Sequence, residues 1–142
     1  MNNGGDGVVV NVLVERNIRI EATPETVYAF LTDPEKIVAW MGREAIFEPR
    51  PGGAFRIDYN GTDIVRGEVV ELVANERVVV TWGWEAAGAE TPPGGSVVEY
   101  TLTPDGDGTL LTVLHRGLSE AEAQSHGEGW DFFLPRLQAI VR

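Results

Sequence analysis

The sequence contains no cysteine, which excludes disulfide bonds and every zinc site built on thiolates. A chain without cysteine is compatible with a reducing compartment, and we expect a cytoplasmic protein. No apolar run approaches the roughly 20 residues that span a bilayer. Residues 1–6 are polar and glycine-rich and have neither the basic nor the apolar region of a signal peptide. The sequence therefore predicts no membrane partner.

Basic residues are also few. There are 11 Lys and Arg against 22 Asp and Glu, so the formal net charge is −11. The basic residues are scattered singly, which leaves no positive patch for nucleic acid or for an anionic membrane surface. The two histidines make a poor zinc site without a third ligand, so we predict no metal and no cofactor. The acidity itself is interpreted as serving solubility.

The chain of 142 residues is long enough for one domain with its own hydrophobic core. We predict a flexible N-terminus over residues 1–7 and a single domain over residues 8–142. Residues 8–20 alternate between apolar and polar side chains, which predicts a strand with one solvated face. Arg16 interrupts the apolar face of this strand. It marks either a bulge or a charge at the inner edge of the sheet.

Two helix starts follow this strand. Thr23 suits the N-cap of a helix and Pro24 suits its first position, and Asp33-Pro34-Glu35 repeats the pattern. The first predicted helix carries the apolar stripe Val27, Phe30 and Leu31. The second is short, carries Ile37, Val38, Trp40 and Met41, and is predicted to end at Gly42.

Six strand segments separated by turn residues occupy the middle of the chain. They are predicted over residues 45–48, 54–59, 64–73, 77–85, 96–103 and 109–116. Asn60-Gly61 predicts a two-residue hairpin, and the Ala-, Gly- and Pro-rich residues 85–95 predict an exposed loop. Consecutive strands with short connections form an antiparallel meander.

The last 24 residues are predicted to be helical. Ser119 and Glu122 form a capping box. Gly127 and Gly129 predict a break between a short helix and a longer one, and Pro135 predicts a bend in the longer one. The apolar stripe of that helix consists of Trp130, Phe133, Leu134, Leu137, Ile140 and Val141. The order β, α, α, six strands, α predicts an α+β fold with the helices on one side of a sheet.

An apolar cavity is expected between a curved sheet and the last helix. Trp82 and Trp84 face the same side because they lie two residues apart on one strand. Concave sites lined by aromatic side chains are the usual binding sites of small molecules. The predicted ligand-contacting residues are Trp40, Phe47, Phe55, Tyr59, Val69, Trp82, Trp84, Tyr100, His115, Trp130, Phe133, Leu134 and Leu137.

Two residues are candidates for acid–base chemistry. His115 shares the strand face of Leu111 and Val113, so it should point inward, where an imidazole serves as general acid or base. The alternative is a buried histidine that holds a backbone carbonyl. Glu71 shares the parity of Val69 and could project inward as a carboxylate with a raised pKa, or it could be a solvated rim residue.

Three other polar residues have simpler interpretations. Arg56 and Asp58 have the opposite parity to Phe55, so we expect both to face solvent. His126 lies one helical turn before Trp130 and shares its face, which favours a packing or capping role.

Several segments carry a family resemblance through their order and spacing. They are Ala22-Thr23-Pro24-Glu25-Thr26-Val27, Thr32-Asp33-Pro34-Glu35 with Trp40, Arg50-Pro51-Gly52-Gly53-Ala54-Phe55-Arg56, Gly67-Glu68-Val69, Thr81-Trp82, Gly108-Thr109, Leu114-His115-Arg116-Gly117-Leu118, and His126-Gly127-Glu128-Gly129-Trp130. Over residues 14–142 the chain resembles the heat-shock ATPase activator homologue family. That family lies within the START-like (SRPBCC) superfamily, which also holds polyketide cyclases and the birch-pollen allergen fold. The resemblance implies a helix-grip fold, in which a curved antiparallel sheet wraps a long C-terminal helix.

Three functions fit these observations. The favoured one is a carrier or sensor of a small apolar molecule, because no nucleophile elbow, P-loop, dinucleotide fingerprint or HExxH motif occurs. The second is an enzyme of the cyclase or dehydrase type, which would use His115 or Glu71 to move a proton. The third is a protein-interaction domain like the co-chaperone members of the family. We expect a monomer or a homodimer.

Overall fold

The structure is a computed structural model and describes residues 12–141. The predicted flexible segment 1–7 and the first residues of the predicted strand 8–20 lie outside this range. The strands are β1 (Val12–Ile20), β2 (Glu44–Phe47), β3 (Ala54–Asp58), β4 (Ile64–Val73), β5 (Arg77–Trp84), β6 (Ser96–Asp105) and β7 (Gly108–Leu118). The helices are α1 (Pro24–Thr32), α2 (Pro34–Ile37) and α3 (Glu120–Ile140).

The strands form one antiparallel sheet in the order β1-β7-β6-β5-β4-β3-β2. Strands β2 to β7 are therefore a meander, and β1 closes the far edge by pairing with β7. The sheet is curved and α3 crosses its inner face, where Trp130 packs against Trp82 of β5, Tyr100 of β6 and His115 of β7. The predicted α+β helix-grip fold is confirmed.

The two short helices begin as predicted. The Thr23 hydroxyl accepts a hydrogen bond from the amide of Thr26, and the Asp33 carboxylate accepts one from the amide of Glu35. The Trp40 indole donates to the Phe30 carbonyl at 2.9 Å, which ties the chain after α2 to α1. These contacts leave Trp40 buried in the core.

The predicted break in the last helix is wrong, because α3 is continuous through both glycines. Glycine costs about 1 kcal/mol in a helix relative to alanine. Burial of one large apolar side chain contributes about 1.5–3 kcal/mol. The burial of Trp130, Leu134 and Leu137 therefore outweighs the local preference of the two glycines.

Gly127 has a tertiary role, which is to leave room for Arg16 of β1. A Cβ atom at position 127 would lie 2.8 Å from Nη2 of Arg16, whose Nε donates to the Asp131 carboxylate at 2.6 Å. This bond raises the pKa of Arg16 and lowers that of Asp131. Arg16 was expected to mark either a bulge or a charge at the inner edge of the sheet, and the structure shows the charge. The irregularity in the β1–β7 pairing lies earlier, between Val12 and Val14.

The β3–β4 connection is longer than the predicted two-residue hairpin. It runs from residue 59 to residue 63, and the Asn60 side chain accepts hydrogen bonds from the amides of Thr62 at 2.9 Å and Asp63 at 2.7 Å. Asp58, which we expected to face solvent, is only 7% exposed. Its carboxylate accepts a 2.6 Å bond from the Gly61 amide, and that bond, with the nearby charge of Arg43, lowers the pKa of Asp58.

A register shift in β4 places Glu71 at the solvated rim, the second of its two expected positions. Val69 is buried and pairs with Val80, but Glu71 pairs with Val79, so one extra residue lies between them. The side chain of Glu71 is exposed and accepts a hydrogen bond from Arg77 at 2.7 Å. A bulge of this kind reverses which residues face inward, which parity alone does not reveal.

Candidate functional site

A pocket of about 510 Å³ lies between the inner end of β5, one face of α3 and the loop over residues 85–95. Its lining residues are Met41, Tyr59, Asp63, Trp82, Trp84, Ala89, Glu90, Glu122, Ser125, His126, Gly129, Trp130 and Phe133. The β5 strand contributes its two tryptophans because residues two apart on a strand share a face. The pocket is thus built from the sheet, the last helix and three loops.

The α3 wall of the pocket is one stripe of the helix. The residues Glu122, Ser125, His126, Gly129, Trp130 and Phe133 recur at intervals of three, one, three, one and three, which places them on one helical face. Gly129 leaves open space in this wall, because a Cβ atom there would meet no atom within 4 Å. This glycine, which the sequence suggested only as a helix breaker, contributes open volume.

Aromatic rings in mutual contact form the apolar part of the pocket. The ring centroids of Trp82 and Trp130 are 5.5 Å apart, and those of Tyr59 lie 5.7 Å from Trp84 and 5.6 Å from Phe133. These separations fall in the range at which aromatic pairs attract. Because each ring is held by another, the wall is formed before any ligand arrives.

His115 lies behind this wall. It is fully buried, its Nδ1 accepts from the Trp130 indole at 3.1 Å, and its Nε2 lies 2.8 Å from the Ser96 hydroxyl. The Ser96 hydroxyl in turn donates to the Trp82 carbonyl at 2.7 Å, which leaves Nε2 as the nitrogen that carries the proton. His115 therefore reaches a backbone carbonyl through a serine, close to the alternative we considered for a buried histidine.

Burial also decides the charge of His115. Desolvation, reinforced by the neighbouring His126, lowers the pKa of His115 to about 3. The imidazole is thus neutral at pH 7, and both of its nitrogens are already engaged. A general base needs a free basic atom within reach of the substrate. Neither His115 nor the exposed Glu71 meets that requirement.

His126 is the histidine on the pocket wall. Its Nδ1 donates to the Glu122 carbonyl at 2.7 Å and its Nε2 accepts from the Trp84 indole at 3.0 Å. The ring also stacks edge-on against His115 at 4.9 Å between centroids. These partners fix its tautomer and hold Trp84 in place, in line with the packing role expected from the sequence.

Trp82 carries an unused hydrogen-bond donor. Among the described residues, its indole nitrogen is the one buried side-chain nitrogen or oxygen without a hydrogen-bond partner. Trp82 is 3% exposed, and burying such a donor unpaired costs about 1–3 kcal/mol. This nitrogen is out of reach of solvent, so the cost is borne by the folded protein.

The mouth of the pocket is acidic and its loop is fastened to α3. The Thr91 hydroxyl donates to Glu122 at 2.8 Å, and the Ser119 hydroxyl donates to Glu90. The amide of Trp84 also donates to the Thr91 carbonyl at 2.8 Å. Residues 85–95 were predicted as a plain exposed loop, but these bonds hold part of it over the pocket.

The predicted ligand-contacting residues divide into three sets. Tyr59, Trp82, Trp84, Trp130 and Phe133 line the 510 Å³ pocket. Trp40, Phe47, Phe55 and Tyr100 surround a second space of about 10 Å³, which is too small for an organic ligand. The remaining residues, Val69, His115, Leu134 and Leu137, are buried in the core and do not line the larger pocket. The sequence missed the contributions of Met41, Asp63, Ala89, Glu90, Glu122, Ser125, His126 and Gly129.

Two kinds of feature are absent from residues 12–141. No cluster of three or more His, Cys, Asp or Glu side chains in this range is arranged to hold a metal ion. No helix within the same range has the length and apolar character needed to cross a membrane.

Comparison with known proteins agrees with the resemblance seen in the motifs. The family model described as activator of Hsp90 ATPase homolog 1-like protein matches residues 21–142. An AHSA1-like protein from Rhizobium etli is 42% identical, and its solution structure gives a TM-score of 0.72 over 91% of this chain and 81% of that one. The crystal structure of DynU16, a protein in the dynemicin biosynthetic locus, is 26% identical, with a TM-score of 0.77 over 89% of this chain and 46% of that one.

A protein of Schizosaccharomyces pombe described as uncharacterized is 26% identical over 145 residues. The match covers 96% of this chain and 41% of the S. pombe protein. The chain thus spans less than half the length of that relative and of DynU16.

Proposed function

The chain belongs to the family of activator of Hsp90 ATPase homolog 1-like proteins, and from that premise we propose that it binds a small apolar molecule in the pocket between β5 and α3. The observation that carries the proposal is a 510 Å³ pocket walled by aromatic rings, with a few polar side chains at its mouth. Pockets that hold organic ligands fall between about 300 and 1,000 Å³ and combine apolar walls with a few polar groups.

The energetics of this wall favour binding. The rings of Tyr59, Trp82, Trp84, Trp130 and Phe133 are already packed on one another, so a ligand orders few side chains on entry. Each ordered side chain would otherwise cost about 0.5–1.5 kcal/mol. Apolar area removed from water contributes about 25 cal/mol per Å². A neutral aromatic or aliphatic molecule therefore gains most of its affinity from contact with the rings.

A cyclase-like enzyme is the second candidate, and the similarity to DynU16 from a biosynthetic locus favours it. Such an enzyme would fold a flexible substrate in the same pocket and would need an acid or base there. The acid–base candidates among the lining residues are the carboxylates at the mouth, not His115 or Glu71. His126 also lines the pocket, but both of its ring nitrogens are engaged. The co-chaperone alternative requires an exposed apolar patch, and no feature of the site favours it.

The domain over residues 8–142 is proposed as the binding unit, in the cytoplasm, as a monomer or a homodimer.

The neutral, environment-sensitive dye prodan is expected to bind the folded protein with saturation and a blue-shifted emission. The physical reason is the transfer of its naphthalene ring from water into the aromatic pocket. The measurement is a fluorescence titration at pH 7, with far-ultraviolet circular dichroism recorded on the same samples. A carrier leaves the dye unchanged, and turnover of a bound compound would instead support the enzyme.

The same titration is repeated while heat or acid loosens the fold. If the dye binds only once the circular dichroism or the tryptophan emission has changed, the dye reports a loosened core and the proposed pocket binding is contradicted.

A further inference from the structure

The charges at the mouth of the pocket are all of one sign. Asp63, Glu90 and Glu122 are among the lining residues, and none of the described residues that line the pocket is Lys or Arg. Asp63 and Glu90 are exposed and Glu122 is half-buried, so the three carboxylates border the opening. An anionic ligand would meet repulsion at this rim.

The three carboxylates have only neutral partners. Glu122 accepts from the Thr91 hydroxyl, Glu90 from the Ser119 hydroxyl, and Asp63 from the Asn60 amide. Within residues 12–141, no ion pair involves any of the three. Other carboxylates of the chain do pair with arginine, as Asp131 does with Arg16. The rim is therefore negative and lacks a cation of its own.

Aromatic rings stand beside this rim. Tyr59 and Phe133 line the pocket together with Asp63, and Trp84 lines it together with His126 and Glu122. The face of an aromatic ring attracts a cation, and the attraction grows when water is excluded. Aromatic ring faces and carboxylates without an ion-pair partner therefore both favour a ligand group that carries a positive charge.

We propose that the ligand is an apolar amine, which places its ammonium group at the Glu90 and Glu122 rim and its apolar body against Trp82 and Trp130. This inference rests on the proposed function, because it names the ligand class for the same pocket.

Competition against prodan tests the charge preference. The competitors are 2-naphthylmethylamine, 2-naphthylmethanol and 2-naphthoate, which share one ring system and are cationic, neutral and anionic at pH 7. The amine is expected to bind about tenfold more tightly than the alcohol at low ionic strength, and the naphthoate more weakly than either. Added sodium chloride should reduce the preference for the amine, because the rim is exposed to solvent.

A pair of charge-matched variants locates the preference. The double variant E90Q/E122Q is expected to lose most of the amine preference and to keep its affinity for the neutral alcohol. The control E120Q/E128Q removes the same charge from two exposed α3 positions that do not line the pocket, and it should retain the preference. Unchanged affinity for the alcohol also shows that a variant is folded.

Each possible result decides between the two proposals. Equal binding of the amine and the alcohol, or tighter binding of naphthoate, would overturn the amine inference and leave apolar binding in place. If both double variants lose the preference for the amine, that preference comes from the overall charge of the protein, and the inference is overturned. If none of the naphthalene compounds nor prodan binds, the proposed function fails, and the amine inference fails with it.

Discussion

Replacement of Gly129 by tryptophan is expected to weaken prodan binding at least about a hundredfold, which corresponds to about 2.7 kcal/mol. Gly129 lies on the pocket-lining stripe of α3, and a Cβ atom there meets no atom within 4 Å. An indole at this position would extend from the stripe and occupy the space proposed for the ligand. The measurement is the prodan titration on the variant, with its thermal unfolding recorded in parallel.

The matched control is Gly129→Ala. This variant also replaces a helical glycine, which stabilises the helix by up to about 1 kcal/mol, but its side chain does not fill the pocket. We therefore expect Gly129→Ala to be more stable than the wild type and to bind prodan with similar affinity. A Gly129→Trp variant that folds and binds prodan as the wild type does would place the dye elsewhere and contradict the proposed site.

Lowering the pH is expected to reduce the free energy of unfolding through the protonation of His115. Its pKa is about 3 in the folded protein and about 6.5 in an unfolded chain, so between these values only the unfolded chain binds the proton. Unfolding is therefore favoured as the pH falls through this window, by about 1.4 kcal/mol per pH unit. From pH 8 to pH 4.5 this one residue should remove about 2.5 kcal/mol from the free energy of unfolding.

The variant His115→Gln isolates this contribution. At pH 8 we expect it to be about 1–2 kcal/mol less stable than the wild type, because the bonds to Ser96 and Trp130 are disturbed. It lacks the titrating imidazole, so its stability should fall less steeply with acid, and the two proteins should become about equally stable between about pH 5 and about pH 6. The measurement is urea unfolding of both proteins at a series of pH values.

Parallel stability curves over this pH range would contradict the burial of a neutral His115. The same variant tests whether His115 takes part in any chemistry. A carrier should keep its affinity for prodan within about tenfold, since His115 does not line the pocket. If the wild type converted a bound compound and the variant lost turnover by about 10²–10⁴, His115 would act as an acid or base and the carrier interpretation would be wrong.

The strands could be predicted from the sequence because half-buried strands alternate with a period of two. Strand β4 has the predicted bounds, and β5 ends one residue earlier than expected. The period of two fails within β4, because the bulge after Val69 adds one residue and turns Glu71 outward. Parity also misplaced Asp58, because its burial depends on the Gly61 amide in the following turn. Local pattern thus predicts a strand more reliably than it predicts the direction of a side chain beyond an irregularity.

The aromatic part of the pocket could be predicted, but its outline could not. Trp82, Trp84 and Trp130 share inward faces that are visible in the sequence, and all three line the pocket. Phe55 and Tyr100 share inward faces too, yet they contribute to the packed core, because the curvature of the sheet decides which end of the cavity stays open. Glu90 and Gly129 had no recognisable pattern, since their place depends on how the 85–95 loop and α3 meet.

The most direct test of the account uses the indole signals of the four tryptophans. In a nitrogen-15-labelled sample, prodan is added at pH 7 while the indole N–H resonances are followed. If the ligand lies between β5 and α3, the signals of Trp82, Trp84 and Trp130 should shift in a saturable manner. The signal of Trp40, which is buried away from the pocket, should stay in place. Saturable shifts confined to Trp40, or no shift at any indole when the dye is bound, would contradict the proposal that the ligand lies between β5 and α3.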